Sequence, residues 1–115
     1  MKTIGIIGGL AWQSSAELYK IINVLVNKKR GWHHFCECVM YSVDLDPILR
    51  LRDEENWDEL ANIIEDAIRR VEAAGADFTV LVSNTMHKTV DLIKDRLSKP
   101  ILHIADVTAQ AILDR

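Results

Sequence analysis

No apolar stretch in this chain approaches the ~20 residues that a helix needs to cross a bilayer. The start, Met1-Lys2-Thr3-Ile4, runs straight into strand-like sequence and carries no signal-peptide pattern, so the expected compartment is the cytoplasm. An excess of basic charge is also missing. Lys and Arg total 14 against 17 Asp and Glu, a net charge of −3, which argues against a nucleic acid or an anionic membrane as partner. The one basic run, Lys28-Lys29-Arg30, falls where a helix should end and complements its dipole there. Cysteine is scarce. Cys36 and Cys38 share one face of an expected strand, cannot easily close a disulfide with each other, and read as buried thiols of a reducing compartment. A metal would need two further ligands; His33 and His34 are adjacent in sequence, nothing else has ligand spacing, and no metal site is expected. Repeats, low-complexity tracts and linkers are absent, and 115 residues suit a single domain.

What remains is an alternation of short apolar runs and helical spacings. Thr3 to Ile7 is apolar and β-branched, the pattern of a strand covered on both faces. Gly8-Gly9 allows a tight turn and close approach of backbone to a ligand, and Leu10 to Gln13 completes the loop. Ser14 with Glu17 reads as a capping box for a helix over Ser15 to Lys29, with Leu18, Ile21, Ile22 and Leu25 as its apolar stripe. Phe35 to Val43 reads as a second strand, at an edge because Glu37 interrupts it. Pro47 begins a short helical turn through Leu51, and Arg52 to Glu55 is a polar link. Asn56 caps the next helix with Glu59 as capping-box partner; Trp57, Leu60, Ile64, Ala67, Ile68 and Val71 form its stripe, and Gly75 ends it. Asp77 to Val82 is the third strand. Met86, Val90, Ile93 and Leu97 line a third helix, which Ser98-Lys99-Pro100 ends. Ile101 to Ile104 is a fourth strand, and Asp106 to Leu113 starts a last helix.

The order β-α-β-α-β-α-β-α predicts an α/β protein: one three-layer α/β/α Rossmann-like domain over residues 1–115, with a four-stranded parallel sheet in the order 2-1-3-4. In that order the connections leave strands 1 and 3 in opposite directions, and a crevice opens between their C-terminal ends. Gly8-Gly9 and Ser83-Asn84-Thr85 are its two lips, with Ser14-Ser15 and the strand-2 exit, Asp44 to Arg50, close by. Hydroxyls, an amide and backbone N–H groups without a fixed basic cluster suit a carboxylate better than a polyphosphate. Gly-Ile-Ile-Gly-Gly has neither the G-x-G-x-x-G spacing nor a Gly-Lys-Ser/Thr, which disfavours a nucleotide. His87 is either an acid–base group held neutral by a helix N-terminus or a half-exposed rim residue. His103 on strand 4 reads as structural. Ser83 and His87, one turn apart, lack the orienting third group that a nucleophile pair needs. Asp44 and Asp46 either reach the crevice or are solvated turn acids, and Trp12 is either a lid on the site or a loop anchor.

Several stretches together resemble the aspartate/glutamate racemase family. They are Lys2 to Gly9, Trp12 with Ser14 to Tyr19, Val39 to Asp44 with Pro47, Gly75 to Phe78, Asn84 to His87, and Pro100 to Asp106, covering essentially the whole chain. The resemblance implies cofactor-independent racemisation of a dicarboxylic amino acid held between two α/β domains, each giving a cysteine that works on one face of the α-carbon. It implies that Asn84 and Thr85 hold the substrate carboxylate, helped by Gly8, Gly9 and Ser14, with Arg50 in the place of a basic residue after strand 2; Trp12, Ser83 and His87 are further candidates from their place at the crevice. The chain departs from the pattern in two respects. The cysteine slot at the end of strand 3 holds Val82, which has no proton to exchange, and the sequence stops about where the family's first domain ends. Neither Cys36 nor Cys38 matches either cysteine slot. The expectation is an impaired racemase that still binds a small carboxylate. The alternative is a non-catalytic scaffold that forms a homodimer through the domain face left uncovered.

Overall fold

The computed structural model describes residues 2–8, 10–81, 87–97 and 99–102. Four strands form one parallel sheet in the order β2-β1-β3-β4: β1 is Ile4–Gly8, β2 Cys38–Ser42, β3 Phe78–Leu81 and β4 Ile101–Leu102. The helices are α1 (Trp12–Arg30), α2 (Leu45–Asp53), α3 (Trp57–Ala73) and α4 (His87–Ile93), the last followed by a 3₁₀ turn at Lys94–Arg96. The α/β class and the 2-1-3-4 order are therefore as expected. The helix expected from Asp106 lies outside the described residues, and among those described no helix is long and apolar enough to cross a membrane.

The alternation of side chains along the central strand sorts the core into two layers. Ile4 and Ile6 point to one face, where α1 covers them together with Phe78 and Val80 through Leu18, Ile22 and Val26. Ile7 and Leu81 point to the other, where Leu60, Ile64, Ala67 and Ile68 of α3 meet Ile48 of α2 and Ile93 of α4. Gly5 lets α3 lie flat on the sheet, since a methyl there would sit 2.7 Å from Val71 Cγ2 and 3.0 Å from Ala76 Cβ.

Local signals set both ends of α3. The Asn56 side chain accepts a 3.3 Å hydrogen bond from Glu59 N, as expected of a cap. The reciprocal half of the box is not made, because Asn56 N donates instead to Leu51 O at 2.9 Å, tying α3 to the end of α2. At the other end Gly75 sits at φ +109, with Gly75 N bonded to Glu72 O and Ala76 N to Val71 O, the paired closure of a Schellman turn.

Four local expectations are corrected. Helix α1 starts at Trp12, three residues early; Ala11 occupies the cap position without a side-chain bond, so Ser14 is inside the first turn and caps nothing. Its buried stripe is Ser15, Leu18, Ile22 and Val26, leaving Ile21 on the surface. Strand β2 is Cys38–Ser42 and not Phe35 to Val43, because a strand lasts only as long as its partner and the first bond from β1 goes to Glu37 O. Pro47 is the third residue of a nine-residue helix; a first-turn N–H has no helical partner to lose.

Two predictions arise here. Thr79 is fully buried on β3 and its hydroxyl finds no partner among the described residues. Thr79→Val removes that orphan at nearly constant shape and should stabilise the fold by about 1 kcal/mol, read as a raised denaturant midpoint at unchanged slope. A loss of stability would mean that the hydroxyl is satisfied in solution. The second concerns Glu65, which accepts from Arg69 Nε at 2.9 Å and from Arg96 Nη1 at 3.0 Å and so ties the 3₁₀ turn to α3. The Arg69 bond first, and the Arg96 bond second, hold its carboxyl below the usual value. A lowered native pKa contributes stability above the unfolded value of ~4.3 that is lost as pH falls through the native one. Wild type should therefore exceed Glu65→Gln in stability at pH 7, and the gap should close below about pH 4. A gap independent of pH would overturn this assignment.

Candidate active-site edge

All four strands are parallel, so the chain leaves each of them at the same edge of the sheet. At that edge Gly8 is registered beside Ser42 of β2, and Ile7 beside Leu81, the last residue of β3. The exits of strands 1 and 3 are therefore neighbours, as the crevice requires. Gly9, Val82, Ser83, Asn84 and Thr85 lie outside the described residues, as does His103; His87 opens α4.

Gly8 is buried and closely approached. A methyl at this position would lie 3.0 Å from Met40 Sδ and 3.3 Å from Ser15 Oγ. The Ser15 hydroxyl donates back to Ala11 O at 3.3 Å, so its proton is already used within the first turn of α1. The exposed Ser14 stands beside it on the solvent side. The start of α1 carries neither a side-chain cap nor an acidic residue in its first turn. Among the described residues no side chain caps its leading N–H groups, and the positive end of its dipole faces this edge. The starts of the other long helices differ. α2 has Asp46 in its first turn, and α3 has the Asn56 cap with Asp58 and Glu59. A carboxylate at this edge is favoured electrostatically next to α1 and Gly8.

Other candidates fall elsewhere. Trp12 is 69% exposed at the first helical position, so the loop-anchor reading is wrong. Arg50 is exposed and ion-paired one helical turn back with Asp46, which places both on the surface of α2. Cys36 and Cys38 are half-buried on the α1 face and not fully buried as expected. Cys38 is registered with Ile4, four residues or ~13 Å along β1 from Gly8. Burial, and then the neighbouring Cys38 thiol, push the Cys36 thiol up to about 11, so it stays protonated at neutral pH. Neither thiol is a base for chemistry at this edge. Among the described residues no group of three or more His, Cys, Asp or Glu side chains is arranged to hold a metal.

The capping pattern around Asn56 did not reveal the depression of about 380 Å³ that opens beside α3, lined by Glu55, Asn56, Trp57, Asp58 and Leu92. The two acids on its wall repel a dicarboxylate, so it does not compete with the Gly8 edge for that ligand.

A parallel sheet with helices on both faces and an anion-favouring helix start at its C-terminal edge defines an α/β protein of the small-molecule-binding kind. The chain belongs to the Asp/Glu/hydantoin racemase family, whose sequence model matches residues 7–115. A solved protein of Yersinia pestis assigned as an Asp/Glu racemase is 38% identical, with a TM-score of 0.86 over 99% of this chain and 50% of its own. An aspartate racemase homologue of Pyrococcus horikoshii OT3 is 28% identical, with a TM-score of 0.77 over all of this chain and 50% of its own. The chain thus spans about half the length of these two structures.

Proposed function

We propose that the chain is equivalent to the N-terminal half of an aspartate/glutamate racemase and binds a small dicarboxylic amino acid, without a cofactor, in the cytoplasm. Gly8, Gly9, Ser14, Asn84 and Thr85 hold the carboxylate, and Val82 leaves the polypeptide with little or no racemase activity. The observation that carries this reading is the start of α1, which has no cap and no first-turn acid and lies against the closely approached Gly8. Family membership supplies the substrate class, since one of the two similar structures is described as an Asp/Glu racemase and the other as an aspartate racemase homologue. The replacement of the family cysteine by Val82 supports the catalytic part. Inverting an α-carbon needs a base on each side, and a branched hydrocarbon cannot move a proton.

Calorimetric titration with D- and L-aspartate and glutamate, run beside a chiral assay of interconversion, tests the proposal. The expected result is saturable binding, weakened by Asn84→Ala, with no interconversion above buffer. Interconversion that Asn84→Ala abolishes would overturn the impaired-enzyme reading, and absence of binding to all four amino acids would overturn the site.

A further inference from the structure

Two cysteines stand where strand β2 begins, at the end of the sheet away from the crevice. Ile4 N donates to Glu37 O at 3.0 Å, so the ladder with β1 reaches back one residue past Cys38. Cys36 and Cys38 share one face of this extended segment, and both pack on the core layer under α1 while staying half exposed to a solute. Asn23 of α1 fixes the first of them: its Oδ1 accepts from Cys36 N at 2.9 Å, and its Nδ2 donates to Tyr19 O at 3.0 Å. Residues two apart on a strand have Cα atoms ~6.7 Å apart, wider than the ~5.5–6 Å usual for a disulfide. A direct S–S bond therefore needs the backbone to pinch, whereas an ion set between the sulfurs adds two bonds of about 2.3 Å and fills the gap. Ionisation of Cys36 is opposed by burial first and then by the charge and hydrogen bond of the Cys38 thiol, and is favoured by the Asn23 side chain. A cation between the two sulfurs cancels the like-charge part of that opposition.

We propose that Cys36 and Cys38 form a two-thiolate site for a soft monovalent cation of the copper(I) kind. Soft thiolates select copper(I) over hard ions. A copper(I) ion is satisfied by two thiolates in line. Tetrahedral zinc wants four ligands, and among the described residues no further His, Cys, Asp or Glu joins the pair in a group that could hold it. Each sulfur gives its proton to solvent as it takes the metal, and copper stays monovalent, so no electron moves. Two thiolates and one cation leave a single negative charge, which the Asn23 amide beside Cys36 stabilises as a positioning residue. Cys38 is registered with Ile4, ~13 Å along β1 from Gly8, so the site is independent of carboxylate binding.

Anaerobic titration of the reduced 115-residue chain with copper(I), against a chromophoric copper(I) chelator as competitor, tests it. One ion should bind per chain with a thiolate-to-copper band in the ultraviolet. Sedimentation should not change, because both ligands come from one strand. Cys36→Ser and Cys38→Ser should each weaken binding by about a hundredfold or more, and Asn23→Ala, which removes the supporting amide, by about tenfold. Should the serine variants not fold, wild type gives the same answer: bound copper should shield both thiols of one chain from a maleimide, read by mass spectrometry. No binding against the chelator, copper held equally well by either serine variant, a complex that joins two chains, or protection of one thiol alone would overturn the proposal.

Discussion

Val82→Cys should raise the exchange of the α-proton of aspartate with solvent well above that of wild type. Val82 follows Leu81 at the end of β3, and α4 opens at His87 five residues on. A thiol placed at a strand exit ahead of a helix is lowered in pKa by the helix dipole and made more reactive. In deuterium oxide the thiolate takes the α-proton, the resulting thiol exchanges with solvent, and deuterium returns to the same face. On the proposed reading, in which the family's second cysteine has no counterpart in this sequence, the product is α-deuterated amino acid of retained configuration. A positioned acid–base group is worth ~10²–10⁴ in rate, so exchange by the variant should exceed wild type by at least the lower figure. Mass spectrometry counts the deuterium and chiral chromatography reads the configuration. Equal exchange in wild type would show that Val82 is not at the reacting carbon. Net inversion by the variant would reveal a second base elsewhere in the chain.

Gly5→Ala should be the most damaging single-methyl change in the sheet. The added carbon would lie 2.7 Å from Val71 Cγ2, inside a core where Val71 is 1% exposed and Ala76 is fully buried. Relief requires α3 to lift off β1 along a surface that also holds Ile64 and Ile68, and overpacking of this kind costs about 1–3 kcal/mol. For a domain of this size that is a fall in Tm of roughly 4–8 °C for each kcal/mol. Adding Val71→Ala should recover part of the loss, so that the double variant is more stable than the sum of the singles implies. Gly8→Ala is the contrasting case. Its methyl meets Met40 Sδ at 3.0 Å, the flexible end of a half-exposed side chain that can swing aside. It should cost little stability and act on ligand binding instead. A Gly5→Ala variant as stable as wild type would mean that α3 does not lie on β1 as described.

The parts of the fold that were legible in the sequence are those set by neighbours in the chain. The Asn56 cap, the Gly75 closure and the stripe from Leu60 to Val71 are local patterns, and they fix α3 and with it the crossover from β2 to β3. The edge position of β2 was legible from Glu37, and the strand order from the alternation of elements. The misreadings came where a distant partner decides. Ser14 and Glu17 make a convincing capping box, but burial of Leu10 in the core and of Ser15 against Gly8 brings the helix start forward to Trp12. The length of β2 is set by where β1 begins, which no pattern within Phe35 to Val43 records. The open start of α1 was partly hidden by the same mistake, since a helix taken to be capped by Ser14 has one of its leading donors already satisfied. Gly8 was singled out for the approach of a ligand, whereas the groups seen close to it, Ser15 Oγ and Met40 Sδ, come from elements whose facing sides are fixed only by packing.

The central claim is that a small dicarboxylate sits where β1 meets the start of α1. Amide chemical-shift mapping of the labelled chain during titration with L-aspartate tests it most directly. Binding there predicts saturable shifts centred on Gly8 and on the first-turn amides of Trp12, Gln13 and Ser14, with those of Glu55 to Asp58 unmoved. Shifts gathered around Asn56 and Trp57 instead, or none at concentrations that saturate binding, would contradict it.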